Sequence, residues 1–178
     1  METFEQLKDK LKMTNQDRLM LETVPMVLMP RWFFVAIKKQ VESRAGIDKS
    51  KKVFYVAGYE GATLWTQTQM READLTGRQV MEQYLGSASL RGWGRFRILM
   101  FEEKLGEGLF RLHHSAVAEE TGNQEEMVCD HITGAMAGAV QAILDNTGYD
   151  KIKVVGREIK CESKRDQYCE FVVEPSGI

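Results

Sequence analysis

Cys129, Cys161 and Cys169 are the three cysteines of this 178-residue chain. An odd number of thiols argues against a disulfide framework and leaves buried packing, reactivity or metal binding as their roles. Cys161 and Cys169 flank the polar segment Glu162–Gln167, which separates two β-rich runs, Ile152 to Ile159 and Tyr168 to Val173. A symmetric hairpin with its turn centred near Arg165 puts Cys161 opposite Cys169, and Ile159 opposite Phe171 on the same side. Two thiolates so placed can share one metal ion. Strand alternation sends Glu158 to the other face, so its use as a ligand requires a bulge or the strand's end near Ile159 and Lys160. Cys129 opens a helical stretch, where the positive end of the macrodipole lowers a thiol's pKa. Four thiolate or carboxylate ligands with no free position make a structural site, and Arg157, Lys160, Lys164 and Arg165 are at hand to offset its negative charge. His131, close to Cys129, is an alternative ligand to Glu158. There is no CxxC pair, and spacing alone leaves ordinary buried cysteines, packing as small hydrophobes, as the competing account.

These residues must be held by the elements around them. Phe4, Leu7 and Leu11 have helical spacing among charges and predict a short amphipathic helix. Met20 to Met29 is almost wholly apolar, but Pro25 and Pro30 prevent one long helix. Pro30 fits the first turn of a helix from about Arg31 to Ser43, which ends at Ala45-Gly46. Asp48 is the expected N-cap of a longer helix to about Arg71, with Val53, Val56, Ala57, Leu64 and Trp65 toward the core. Thr76 caps a further helix to Leu85. Beyond Gly86, glycines interrupt the periodicity, and residues 96–101 and 109–112 predict a β-hairpin. Helical period returns from Cys129 to Asn146, where Gly134, Ala135, Ala137, Gly138 and Ala139 let another element approach closely. Helices, hairpin, helix and hairpin in this order predict an α+β layer arrangement with an antiparallel sheet. No linker or repeat divides the chain, so residues 1–178 are expected to form one domain, mainly helical over 1–86, with sheet, helix and metal site over 87–178.

Composition narrows the function classes. With 24 basic and 26 acidic residues interspersed and a net charge of −2, no region has the basic excess of a nucleic-acid-binding surface. The acidic N-terminus is unlike a secretory signal, and no apolar run approaches the ~20 residues that span a bilayer. A cytoplasmic protein without a membrane span is expected. Ten methionines suit a core or pocket of adaptable shape.

Several scattered motifs resemble, over about Gln16 to Pro175, the sensor module made of an activator-of-aromatic-catabolism segment followed by a 4-vinyl reductase (4VR) domain. They are Asp17-Arg18-Leu19-Met20-Leu21 before the Trp32 helix, then Val56-Ala57-Gly58-Tyr59-Glu60-Gly61. They continue with Cys129, Gly134 and Gly138 in one helix, Arg157 to Cys161, and Tyr168 to Val173. In zinc-containing members of that family, the positions matching Cys129, Glu158, Cys161 and Cys169 are ligands, so the resemblance implies a structural zinc. It also implies a fold shared with sensory and trafficking modules, a homodimer, and an apolar pocket beside the metal. The stretch from Ala139 to Arg157 is longer here than in the phenol sensors.

For the pocket, Trp93, Phe96, Met100, Phe101, Phe110 and Leu112 on the candidate strands offer an aromatic lining, and His113 a polar group beside it. The phenol sensors hold their ligand's hydroxyl with a histidine and a tryptophan. Here those places fall at Ala88 to Leu90 and at Leu112, so both polar anchors are missing, while Phe110 matches an aromatic pocket position. The expected function is a zinc-containing sensor or carrier of small apolar or aromatic molecules. The sequence up to Ile178 has no GxxxxGK[ST] loop and no recognition helix, so its output is expected to pass through a protein partner. An enzyme or accessory acting on a tetrapyrrole vinyl group is a second possibility, without any nicotinamide or flavin fingerprint. An assembly scaffold of the trafficking type is a third.

Overall fold

The computed structural model describes residues 9–21 and 24–177. The amphipathic helix expected around Phe4 and Leu7 lies outside these residues, and Leu11 opens a strand. Three short strands, β1 (Leu11–Met13), β2 (Leu19–Leu21) and β3 (Val24–Pro25), pair antiparallel in a small sheet of that order. Helix α1 (Arg31–Ala45) starts behind Pro30, whose φ is −60°, and a proline there forfeits no helical hydrogen bond. It ends at Gly46, where φ is 87°, a left-handed value that glycine adopts without strain.

Gly46 also precedes α2 (Ile47–Ala73), so Asp48 is a first-turn residue rather than the N-cap. Its carboxylate still lies near the helix's positive end. The face that α2 buries runs through Ser50, Phe54, Gly58, Ala62 and Thr66, while Val53, Val56, Ala57 and Leu64 are exposed and Trp65 is partly buried. This differs from the expected core face. Closeness of approach, not hydropathy, decides it: a Cβ on Gly58 would strike the His131 carbonyl, and one on Gly134 or Gly138 would strike the carbonyl of Tyr55 or Tyr59. Thr63 Oγ1 donates across this seam to the Gly138 carbonyl at 3.1 Å.

Helix α3 (Gly77–Leu90) follows Thr76 as expected, but it continues through Gly86 for another turn. Two short helical or turn segments were also not anticipated, α4 (Ala116–Thr121) and a 3₁₀ turn at Glu162–Lys164. The remaining elements are β4 (Arg95–Glu102), β5 (Glu107–His113), α5 (Asp130–Asn146), β6 (Val154–Lys160) and β7 (Cys169–Pro175). The four strands form an antiparallel sheet in the order β4-β5-β7-β6. Helix α5 is sandwiched between this sheet and α2, and its residues 132–144 are buried throughout. Gly156 of β6 admits it, since a Cβ there would lie 2.6 Å from the Thr133 carbonyl. The architecture is α+β, as the element order predicts.

The closing ribbon is not symmetric. Lys160 pairs with Glu170 as expected, but Glu158, not Ile159, faces Phe171, because a bulge falls between Glu158 and Lys160. One extra residue reverses the alternation beyond it. Cys161 lies just past the strand, and Cys169 pairs with Leu112 of β5.

Candidate metal centre and adjoining cavity

The bulge brings Glu158 to the cysteines. Cys129 at the start of α5, Cys161 before the 3₁₀ turn and Cys169 at the start of β7 are all fully buried. Their sulfurs form a triangle with edges of 3.8, 3.9 and 3.9 Å. A disulfide requires about 2.05 Å between sulfurs. Tetrahedral zinc–thiolate bonds of about 2.3 Å instead place neighbouring sulfurs about 3.8 Å apart. Glu158 completes the group, with one ligand atom from each of the four residues lying within 4.8 Å of the others. Its Oε2 accepts from the Cys129 N–H at 3.0 Å, while Oε1 is buried without a hydrogen-bond partner among the described residues. An orphaned buried carboxylate oxygen beside three clustered sulfurs fits a cation as its missing partner.

Electrostatics point the same way. Burial, then the charge on Cys161, lifts the Glu158 carboxyl to about 9. Hydrogen bonds from Cys129 and then Cys169 pull the Cys161 thiol down, whereas those of Cys129 with Cys161 and then Cys169, followed by burial, push the Cys129 thiol up. For Cys169, the bond with Cys129 acts downward but is outweighed by Cys161 and burial. Four acidic groups at this spacing resist being charged together, and a divalent cation removes that resistance.

Local hydrogen bonds fix the donors. Glu162 N–H donates to Cys169 Sγ at 3.3 Å, and the hydroxyls of Ser163 and Ser115 lie 3.0 Å from Cys161 Sγ and 3.3 Å from Cys129 Sγ. Glu162 also accepts from the His114 and Ser115 N–H groups, tying the turn to the end of β5. These contacts take the place expected for basic side chains. Arg157 instead pairs with Glu174 at 2.8 Å, and Lys160 reaches the Tyr168 hydroxyl at 3.1 Å.

Helix α5 runs from this cluster along a cavity of about 480 Å³, which it walls with His131, Ile132, Ala135 and Met136. Gly58, Ala62 and Trp65 of α2, Tyr84 and Ala88 of α3, and then Arg91, Trp93 and Phe96 close the other sides. A second cavity of about 810 Å³, lined by Leu21 and Met26 to Met29, shares Arg91 and Trp93 with the first. Of the expected lining, Trp93 and Phe96 are on the wall. Phe110 and Leu112 are instead fully buried in the core, on the central strand β5. Met100 lies on the exposed side of β4, and the His113 ring packs against Tyr168 at 5.6 Å, away from both cavities. His131 is not grouped with the sulfurs. Its ring lies 5.2 Å from Phe34 and 5.3 Å from Trp93, and burial lowers its pKa to about 4. Tyr84, Arg91 and Ala135 were missed as wall residues; the helix-period face of α3, extended past Gly86, is the signal that carried the first two.

This fold is shared with solved structures of sensory, vinyl-reductase-family and trafficking proteins. The phenol-responsive sensory domain of the transcription activator PoxR, solved with phenol, is similar over 97% of this chain and 88% of its own, with a TM-score of 0.79 and 16% identity. A vinyl-4-reductase family protein from Methanocaldococcus jannaschii is similar over 88% and 86%, with a TM-score of 0.55 and 17% identity. A trafficking protein particle complex subunit 3 from Naegleria fowleri, covalently bound to palmitic acid, covers 83% and 95%, with a TM-score of 0.56 and 10% identity. No curated protein matches the sequence. Residues 11–99 match the family described as a domain of unknown function (DUF5943), and the chain belongs to that family. No helix among the described residues is long and apolar enough to cross a membrane.

Proposed function

We propose that this chain is a zinc-containing domain of sensor or carrier type, which takes a small aromatic or apolar molecule into the 480 Å³ cavity. The observation that carries this reading is the double role of α5, which starts at the sulfur triangle and continues as the cavity wall. Cys129, Glu158, Cys161 and Cys169 would hold the ion with no open position, so its contribution is a cross-link between the helix start and the closing ribbon. The cavity lies within the roughly 300–1,000 Å³ typical of small-molecule sites. Likeness to the PoxR sensory domain supports the same reading.

Signal output would pass through a second copy of the chain or another protein. Val27, Leu28, Trp32, Phe33 and Val53 are exposed and offer apolar surface for such an interface. Native mass spectrometry of the unaltered protein and of Cys169→Ser tests the whole. Expected are one zinc per chain, a small aromatic or apolar adduct and a dimer, with the zinc lost from the variant. A tetrapyrrole-sized adduct would move the reading to the vinyl-reductase class, and an empty higher oligomer to a scaffold.

A further inference from the structure

Arg91 stands apart from the other arginines near the chain's polar seams. Arg31, Arg111 and Arg157 each reach a carboxylate at 2.8 Å. Arg91, partly buried just past α3, donates its Nε to the Ser87 carbonyl at 3.2 Å. Its two terminal nitrogens have no hydrogen-bond partner, and the side chain no carboxylate partner, among the described residues. It lines both cavities. A guanidinium cannot shed its proton in a protein, so a partly desolvated one without a counter-charge is costly until something supplies an acceptor. Burial presses the Arg91 pKa downward, opposed only by the neighbouring Tyr84.

Other polar groups around it are donors or orphans. Tyr84 lines the same cavity, and burial raises its pKa to about 12, so its hydroxyl stays protonated and free to donate. His131, on the facing wall, has its buried Nδ1 without a partner. The remaining wall is largely aromatic or small, with Trp65, Trp93 and Phe96 supplying ring faces.

Resting on the ligand-binding reading above, we propose that the cavity selects an aromatic carboxylate, whose anionic head is bound by Arg91 and whose ring lies among Trp65, Trp93 and Phe96. A carboxylate can take two parallel N–H bonds from the guanidinium fork and accept a third from Tyr84. A neutral phenol supplies one weak acceptor and leaves the cation uncompensated. Of the places matched to the hydroxyl-binding groups of the phenol sensors, Ala88 to Leu90 and Leu112, only Ala88 lines this cavity, and it supplies no polar group.

Isothermal titration of the full chain with 2-naphthoate and with its neutral counterpart 2-naphthol tests this. Charge-assisted bonds predict naphthoate binding tighter than naphthol by on the order of tenfold to a hundredfold. Arg91→Gln should erase that preference, and Arg91→Lys should keep part of it. Should Arg91→Gln fail to fold, the ratio in the unaltered protein and the behaviour of Arg91→Lys still decide. Equal affinities, or a preference for naphthol, overturn the carboxylate assignment and leave the aromatic pocket standing. A naphthoate preference that survives Arg91→Gln removes Arg91 as the anchor. Binding of neither probe would overturn the pocket reading itself.

Discussion

Two glycines on one helix should respond to alanine with opposite signs. Replacing glycine by alanine inside a helix gains about 1 kcal/mol from backbone entropy. At Gly61 nothing lies within 4 Å of the added methyl, so that gain is expected in full. At Gly58 the methyl strikes the His131 carbonyl, a backbone atom on a helix packed from both sides, and 3.1 Å away is the Ala135 nitrogen. Neither can rotate aside, so α2 must move off α5. Overpacking of this kind costs up to about 3 kcal/mol, which leaves a net loss of about 2 kcal/mol after the entropy gain. For a chain of this size, each kcal/mol shifts Tm by about 2–4 °C. Gly58→Ala should therefore melt about 4–8 °C lower and Gly61→Ala about 2–4 °C higher, measured by calorimetry at one protein concentration. Since Gly58 and Ala135 both line the cavity, the first variant should also bind naphthoate and naphthol more weakly. A Gly58→Ala protein as stable as Gly61→Ala would refute the close-packed seam that positions the cavity wall.

Phe110 and Phe96 separate core from cavity. Phe110→Ala should cost about 3–5 kcal/mol in denaturant unfolding, because its side chain is fully buried, yet should leave relative probe affinities unchanged. Phe96→Ala should do the reverse, weakening aromatic guests with a smaller loss of stability; matching effects from both would contradict the placement of the cavity. Tyr84 predicts an alkaline limb of stability. Its folded pKa, raised by burial to about 12 from 10.0, makes its contribution fully present below pH 10 and lost as pH rises toward 12. That amounts to about 3 kcal/mol. Tyr84→Phe should flatten the limb in urea titrations between pH 9 and 12, and an unchanged slope would count against a buried, neutral phenol.

Most of the architecture was legible because hydrophobic period and turn chemistry agree with it. Pro30, Gly46 and Thr76 mark helix ends, and the two β-rich ribbons carry clear strand composition. Hydropathy misled on α2, where Val53, Val56 and Leu64 face outward and the buried ridge is Ser50, Gly58, Ala62 and Thr66. A stripe chosen for small size has a weak apolar signature. Residues 11–25 were equally opaque, since strands of two or three residues are too short to show alternation. At the cluster, the need for a bulge beside Glu158 could be stated from strand geometry, but its occurrence at Ile159 depends on tertiary pairing. The register with Phe171 was accordingly displaced by one residue. His131 could not be placed on the cavity from sequence, because it lies on a helix end whose facing depends on how α5 packs.

Zinc K-edge absorption, together with elemental analysis of protein prepared without chelator, tests the central claim most directly. The account predicts one zinc per chain, with three sulfurs at about 2.3 Å and one oxygen at about 2.0–2.2 Å. Protein lacking bound metal, with two of its cysteines joined as a disulfide or all three freely alkylated in the folded state, would contradict it.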